Sequence, residues 1–434
     1  MIIARAWQRR RYAVLGLARS GAATVRALLA GGAQVTAWDA DAAKRAPFLR
    51  GTREGLGEDP VVAPLDDLAG FDALVVSPGV PLNTHPIATA ARAAGVPVIG
   101  DIELFAQARG DLPAHRVVGI TGTNGKSTTT ALVHHILDTA GIPALMAGNI
   151  GLPILGVAPL PAGGVYVLEL SSYQLDLTTS LDCDVAVLLN LTPDHLDRYD
   201  GFAGYAASKA RLFAMQSPAH DAVIAIGDAP SAAIARSLSA RAEHLTKIAP
   251  GVCLDQARWP ALQGPHNAQN ALAAIAVAKT LGVDEAAIDR ALATFTGLPH
   301  RMQRIATRGG VAYVDDSKAT NPESTAPALA AYPRIHWIVG GRAKGDDLAA
   351  CAPSFGHVVR AYTIGEAGPR FAALLDGQVP VEEAGTLAAA VASAARHAIA
   401  GEIVLLSPAC ASFDQFRDYE ERGAAFRAAV EALA

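Results

Sequence analysis

Apolar and polar positions follow one another in blocks whose lengths are those of buried strands and amphipathic helices. Residues 12–17 form a short apolar run broken by Gly16 and closed off by Gly21, 22–30 has helix-forming composition, and 34–38 returns to strand character before Asp39. That is a βαβ unit. Further apolar runs lie at 73–76, ending in Ser77-Pro78-Gly79, and at 96–99. A second cycle opens with a strand at 117–120 and a helix from about Ser127, and continues with strands at 165–170, 185–191 and 223–226 and helices at 268–281 and 285–295. Gly297-Leu298-Pro299 breaks the pattern. A third cycle has strands at 311–314, 336–339, 361–364 and 403–406 and closes with a helix near 419–434. Repeated strand–helix alternation predicts an α/β chain of parallel sheets with helices on both faces. Three domains are expected, 1–104, 105–297 and 298–434.

Composition narrows the class. The chain has 434 residues, 51% hydrophobic and 18% charged, which is apolar enough for several buried cores and excludes global disorder. Lys plus Arg number 36 and Asp plus Glu 41, so no basic excess points to a nucleic-acid partner. Cys183, Cys253, Cys351 and Cys410 lie far apart without CxxC spacing, which fits neither a disulfide framework nor a structural zinc site. A reducing, cytoplasmic compartment is expected. The apolar stretch after Arg9-Arg10-Arg11 is cut short by Arg19, unlike an export signal. Residues 139–168 carry no charge, but Pro143, Pro153, Pro159 and Pro161 make a poor helix there. That segment is expected to be buried loop and strand, with no membrane insertion.

The strongest chemical signal is VVGITGTNGKSTT, residues 117–129: an apolar strand, a glycine loop, then Lys126, Ser127 and a helix. Loop amides and a helix N-terminus suit the negative charges of a nucleoside triphosphate. Lys126 can pair with its outer phosphates and the Ser127 hydroxyl can ligate magnesium. Ile120 stands where a strict Walker A loop has glycine, so the loop is the shorter Gly122-x-x-Gly125-Lys126-Ser127. The alternative is a tight strand-to-helix turn with a solvated lysine. Glu169 closes the next strand, where a carboxylate can meet magnesium. Asp194, His195 and Asp197 crowd another strand end, with a metal-ligand or carboxylate-binding role for His195 set against an ordinary loop histidine. Asn267 and Asn270, three apart, share a helical face that can bond a purine edge, unless Asn267 merely caps the helix and Asn270 is solvated.

In the third cycle, Asp315-Asp316-Ser317-Lys318-Ala319-Thr320, Gly340-Gly341-Arg342-Ala343-Lys344 and Ser407-Pro408-Ala409-Cys410-Ala411-Ser412 each follow a strand. So many polar groups at strand ends would be costly to bury without a ligand or solvent, and their Lys, Thr and Ser groups suit a small anionic substrate. His300-Arg301 follows the Gly297 break and is expected to swing into the phosphate site as domains close.

Taken together, TGTNGKS, ELSSYQL, TPDHLDRY, HNAQN, GLPHR, DDSKATNPEST and SPACASFDQF resemble, in one order over nearly the whole chain, the Mur ligase family of ATP-dependent amino-acid ligases. DSKATN and SPACASFDQF resemble the branch that adds D-glutamate to UDP-N-acetylmuramoyl-L-alanine in peptidoglycan precursor synthesis. The resemblance implies a Rossmann-like UDP-binding domain, a central ATPase domain and a Rossmann-like C-terminal domain bringing the amino acid. By motif, it implies that Gly122, Thr123, Asn124, Gly125, Lys126, Ser127 and Thr128 hold the triphosphate. Glu169, Ser127 and His195 would position magnesium, and Lys209 would be a carbamylated magnesium ligand. Residue type alone makes Lys209 a solvated helical lysine. Asn270 would contact adenine, Arg301 the γ-phosphate, and Asp316 and Lys318 the nucleotide from the third domain.

Further, the resemblance implies that Thr320, Lys344 and Ser412 grip the glutamate carboxylates, with Tyr419 lining that pocket. Asn149 and His195 would face the muramoyl-alanine end, and Arg19, Ser20, Asp39 and Gly79 the uridine diphosphate. Gly16-x-x-x-x-Gly21 is not GxGxxG, so the first βαβ unit does not imply NAD or a dehydrogenase. Ala40 and Asp41 follow Asp39, where relatives often place a hydroxyl and a basic residue. The implied reaction activates the alanyl carboxylate as an acyl phosphate that the glutamate amine attacks, on a monomeric enzyme. A ligase for L-glutamate or another amino acid, and a nucleotide-dependent binding module, are the alternatives.

Overall fold

The computed structural model describes all residues except 50–58, 253, 344, 346 and 434. Its strands fall into three sheets, one for each cycle of the sequence. The first holds β1 (Arg11–Leu15), β2 (Gln34–Trp38), β3 (Val61–Val62), β4 (Ala73–Val76) and β5 (Val98–Ile99) in the order β3-β2-β1-β4-β5, all parallel. Successive strands are added outward in one sense from β1 to β3 and in the other from β4 to β5, and in such sheets the crevice between β1 and β4 takes ligands. Gly21, in the helix Arg19–Ala30, packs so close to the β1 exit that a Cβ there would lie 1.8 Å from the Gly16 carbonyl oxygen. The Gly16/Gly21 pair therefore serves helix–strand packing.

The second sheet holds β6 (His115–Thr121), β7 (Ala144–Gly148), β8 (Gly164–Glu169), β9 (Val185–Leu188), β10 (Asp221–Ala225) and β11 (Leu245–Ile248), in the parallel order β11-β10-β9-β6-β8-β7. Its central strands are buried on both faces, so they read as continuous Val/Ile/Leu runs. β9 stops at Leu188, three residues before the apolar run does, because Leu189 to Leu191 turn to meet the glycine loop. The uncharged stretch 139–168 contains β7, a short 3-10 turn and the start of β8. Among the described residues no helix is long and apolar enough to cross a membrane.

The third sheet holds β12 (Gln303–Arg308), β13 (Val311–Asp315), β14 (Ile335–Gly340), β15 (Val358–Ile364), β16 (Val381–Gly385) and β17 (Ile403–Leu406), in the order β12-β13-β17-β14-β15-β16. One element departs from the all-parallel expectation: β12 runs antiparallel to β13 at the edge, joined to it by the Gly309-Gly310 turn. Apolar clusters cover both faces, one around Trp337, Leu405 and Phe371 and the other around Tyr362, Leu406 and Phe426.

By contacts the chain divides into two compact units, residues 1–250 with 272–288, and residues 251–271 with 289–434. The first two sheets share the first unit, whose core runs continuously from Trp7 and Leu28 through Phe105 to Tyr166 and Leu188.

Candidate active site

In the first unit, the glycine loop leaves β6 at the middle of the second sheet, with the β8 end on one side and the β9 exit on the other. Gly122 and Gly125 have φ of 149° and 86°, angles open to glycine and strained for other residues. The loop is stapled to the β9 exit. Thr123 N donates to Asn190 O at 2.9 Å, Asn124 N to Asn190 Oδ1 at 2.8 Å, and Asn190 Nδ2 back to Asn124 O at 3.0 Å. Asn190 is thus a positioning residue that the motif contains but that its residue type alone does not announce. Lys126 opens the helix Lys126–Thr139 and folds its ammonium onto the Gly122 and Thr123 carbonyls, 2.7 Å from each.

Glu169 ends β8 fully buried. Its Oε1 accepts from Asn149 Nδ2 at 2.7 Å, while Oε2 is buried with no hydrogen-bond partner. A buried carboxylate oxygen without a partner is costly unless a cation or donor meets it. Ser127 is buried in the first turn of the loop's helix. Oxygen donors in such a place suit a hard divalent cation.

Lys209 does not sit in solvent. The helix Gly201–Ala214 carries it inward, where it is 1% exposed, with Nζ 3.4 Å from Thr121 Oγ1 and 4.8 Å over the Tyr205 ring. Burial, reinforced by the nearby charge of Lys126, holds its amine well below the usual lysine range. His195 has a left-handed φ of 53° and lies beside the Tyr173 ring, centroids 5.0 Å apart. Burial lowers its pKa, partly offset by Asp194, and the charges of Lys209 and Lys126 lower it further. Lys126, Glu169, His195, Lys209 and Asn149 therefore belong to one electrostatic neighbourhood at the strand ends. Among the described residues no three His, Cys, Asp or Glu side chains form a ready-made metal cage.

In the second unit, the three polar strand ends belong to β13, β17 and β14, which are immediate neighbours in the sheet. Asp315 Oδ2 lies 2.7 Å from His300 Nδ1 and its Oδ1 accepts from Ser317 N at 2.9 Å. Asp316 is buried, and its carboxylate accepts from Ser407 Oγ at 2.8 Å and Met302 N at 3.2 Å. Burial pushes the Asp316 carboxyl up to about 7 in spite of those donors and of the Arg301 charge. Arg301 thus sits beside Asp316, while His300 and Met302 hold left-handed φ of 61° and 48°. Lys318 Nζ lies 3.6 Å over the Tyr419 ring, and the Tyr419 hydroxyl donates to Glu420.

Arg422, which sequence reading passed over as part of a helix, is 1% exposed behind this cluster. It donates to Ser317 Oγ and O and to Cys410 O, and its Nη1 is buried without a partner. The neighbouring Gly423 is the available clue: a Cβ there would stand 2.0 Å from His300 Nδ1. Thr320 and Ser412 flank the same strand ends, Ser412 buried. Lys344 lies outside the described residues. Asn270 is buried rather than solvated and donates to Asn267 Oδ1 at 3.1 Å, and Asn267 donates to Gln263 O instead of capping its helix.

Residues 10–100 match the Mur ligase MurD-like N-terminal domain, 120–251 the Mur ligase middle domain, and 300–410 the Mur ligase glutamate ligase domain. The chain is 63% identical to the UDP-N-acetylmuramoylalanine--D-glutamate ligase of Novosphingobium aromaticivorans, covering 100% of this chain and 97% of that one. It belongs to the Mur ligase family.

Full-length similarity extends to the like-named ligases of Sphingopyxis alaskensis, 62% identical over 100% of both chains, and Zymomonas mobilis, 58% identical over 97% of both. Among solved structures, the MurF ligase of Thermotoga maritima in complex with ADP shares the fold, with a TM-score of 0.60, 16% identity and 99% of each chain covered. In this Mur ligase the first-sheet residues are arranged as follows. Asp39 is nearly buried; although burial opposes it, the Leu17 and Asp41 amides, at 2.7 and 2.9 Å, hold its carboxylate below the usual range. Asp39 thereby ties the β1 and β2 exits together. Lys44 Nζ is 3.9 Å from both Asp39 and Asp41, and the Arg45 guanidinium stacks 4.3 Å over Trp38. Basic groups thus approach this strand end from the following helix rather than from position 41. Arg19 Nη2 donates to Gly151 O at 2.9 Å, Ser20 lines a small cleft with Thr24 and Ser77, and Gly79 is exposed with open space around it.

Proposed function

We propose that this Mur ligase joins D-glutamate to the alanyl carboxylate of UDP-N-acetylmuramoyl-L-alanine with cleavage of ATP to ADP and phosphate. The observation that supports this most is the full-length 63% identity to a ligase of that printed name, in a chain whose phosphate loop lies beside a buried, half-satisfied carboxylate. The Gly122–Thr128 segment and Lys126 bind the triphosphate, and the Lys126 ammonium moves from the Gly122 and Thr123 carbonyls to the phosphates. By motif, Asn270, Arg301, Asp316 and Lys318 are further ATP-binding residues. Glu169, Ser127, His195 and a carbamylated Lys209 would hold magnesium, and Glu169 Oε2 is suited to it. Magnesium, when bound, offsets the repulsion between phosphate and carboxylate oxygens.

The buried Lys209 amine, held below the usual lysine range, combines in its neutral form with carbon dioxide to give a carbamate and a proton, which replaces the amine by an oxygen ligand. Asn149, His195, Arg19, Ser20, Asp39 and Gly79 hold the sugar nucleotide. The alanyl carboxylate attacks the γ-phosphorus, giving an acyl phosphate and ADP. The glutamate amine then attacks the acyl carbon and phosphate leaves. Thr320, Lys344, Ser412 and Tyr419 orient the amino acid, and the buried Arg422 guanidinium adds positive charge for its carboxylates. We assign domain boundaries near 104 and 297, a monomer and a cytoplasmic location; the buried free thiols of Cys183, Cys351 and Cys410 suit a reducing compartment.

The test is ADP release by the purified protein with each reactant omitted in turn. Release that needs both UDP-N-acetylmuramoyl-L-alanine and D-glutamate, and that L-glutamate does not support, is expected. Turnover indifferent to either substrate would reject the proposal.

A further inference from the structure

The loop between β9 and the helix Gly201–Ala214 carries His195 and is fastened at two places within the first unit. On one side, Thr192 N donates to Thr123 Oγ1 at 3.0 Å, and Thr123 in turn lies 3.1 Å from the Tyr205 hydroxyl, which fixes the loop to the phosphate loop. On the other, Arg198 Nη2 donates to Val80 O at 3.0 Å and Asn83 Nδ2 donates to Asp197 O at 2.9 Å. Val80 and Asn83 belong to the segment that follows Ser77-Pro78-Gly79 at the β4 exit, the crevice side of the first sheet.

Arg198 has a further contact. Its guanidinium lies 4.2 Å over the centroid of the Tyr173 ring, and Tyr173 follows the Glu169 strand end and packs on the His195 ring. The Arg198 amide also donates to His195 O at 2.9 Å, closing the turn in which His195 takes its left-handed conformation. Arg198 thus reaches the first-sheet exit loop and the Tyr173 ring with its side chain and the histidine with its backbone amide. A guanidinium offers a flat, charged face for stacking and directed N–H donors at the same time. Neither Arg198 nor Asn83 is among the groups assigned to the reacting atoms.

We propose that Arg198, braced by Asn83, is a positioning residue that couples sugar-nucleotide binding at the first sheet to nucleotide binding at the phosphate loop. A ligand seated at the β1 and β4 exits orders the 77–83 segment. Arg198 and Asn83 pass that ordering to the 192–200 loop, and Thr192 passes it to Thr123. The inference rests on the proposed substrates, and by linkage the effect is reciprocal.

The experiment measures the dissociation constant of a non-hydrolysable ATP analogue, with and without saturating UDP-N-acetylmuramoyl-L-alanine, by titration calorimetry on the full-length protein with magnesium. Wild type, Arg198→Ala, Asn83→Ala and the double variant are compared. In wild type the sugar nucleotide is expected to tighten analogue binding by roughly fivefold or more. In Arg198→Ala that enhancement falls below about twofold, while the analogue's affinity alone changes by less than about twofold. Asn83→Ala shows a smaller loss, and the double variant loses no more than Arg198→Ala, as expected for one shared route. Arg198 is only partly buried, and an unchanged melting temperature confirms that the variant folds. Undiminished enhancement in Arg198→Ala, or none in wild type that binds both ligands, would overturn the coupling. Wild type that binds neither ligand would instead overturn the proposed function beneath it.

Discussion

Asn149 holds Glu169 by two bonds, its amide donating to the Glu169 carbonyl at 2.8 Å and its Nδ2 to Oε1 at 2.7 Å. The approach is possible because Gly148, φ 96°, leaves no Cβ where the Glu169 carbonyl oxygen would be only 2.3 Å away. With one oxygen engaged, the other is presented in a single direction. Asn149→Ala is therefore expected to raise the magnesium concentration needed for half-maximal ADP release by about tenfold, as outer partners of metal ligands commonly do. An unchanged magnesium titration would show that the pairing does not orient the carboxylate.

Removing the buried amine should be more severe. Lys209→Ala is expected to lose activity by at least about 100-fold, with no recovery on adding bicarbonate. Wild type stripped of carbon dioxide should lose activity and regain it with bicarbonate, and intact-protein mass spectrometry at mildly alkaline pH should show one added carbon dioxide that the variant lacks. Full activity of Lys209→Ala would remove the carbamate from the account.

Asp316 makes stability depend on pH in a defined sense. Burial raises its folded pKa from 3.8 to about 7, so between those values the folded protein keeps a proton that the unfolded chain has lost. Stability from this group is complete below the unfolded value and is lost as pH rises through about 7. Asp316→Asn, which cannot ionise, should gain on wild type from about pH 4 upward, by up to about 4 kcal/mol at pH 8, although turnover falls. Urea unfolding of both proteins followed by circular dichroism across this pH range reads this directly. A pH-independent difference would contradict it.

What residue order could reveal differed from place to place. The glycine loop was legible because its chemistry and its geometry occupy one short segment, Gly122 to Ser127. The three polar clusters of the third cycle were legible as motifs, but their meeting depends on β17 lying between β13 and β14, a matter of topology. Lys209 was illegible for the same reason. Its own helix is unremarkable in composition, and burial arises only when that helix packs beside Ser172–Asp176 and under the β6 end. The Asn149–Glu169 and Arg198–Val80 bonds join residues 20 and 118 apart in the chain, beyond any local pattern. Gln303–Arg308 escaped notice as a strand because an edge strand is half exposed and tolerates charge, so its hydrophobic signal is weak.

The buried carboxylate of Glu402 lies away from the polar strand ends. Glu402 accepts from His336 Nε2 at 2.9 Å and from Arg334, and the Ile399 amide donates to it at 3.1 Å, at the opposite end of β17 from Ser407. Glu402→Ala would leave His336, 1% exposed, without this partner. A loss of about 3 kcal/mol in unfolding free energy is expected, with kcat at room temperature within about twofold of wild type. Equal loss of activity and stability would tie this end of the sheet to catalysis.

The most direct measurement follows an oxygen atom. UDP-N-acetylmuramoyl-L-alanine with heavy oxygen in its alanyl carboxylate is incubated with the enzyme, ATP, magnesium and D-glutamate, and the released phosphate is weighed by mass spectrometry. Phosphate carrying one heavy oxygen, formed in step with a new D-glutamyl amide, is expected. Phosphate free of the label, or labelled phosphate without the amide, would contradict it.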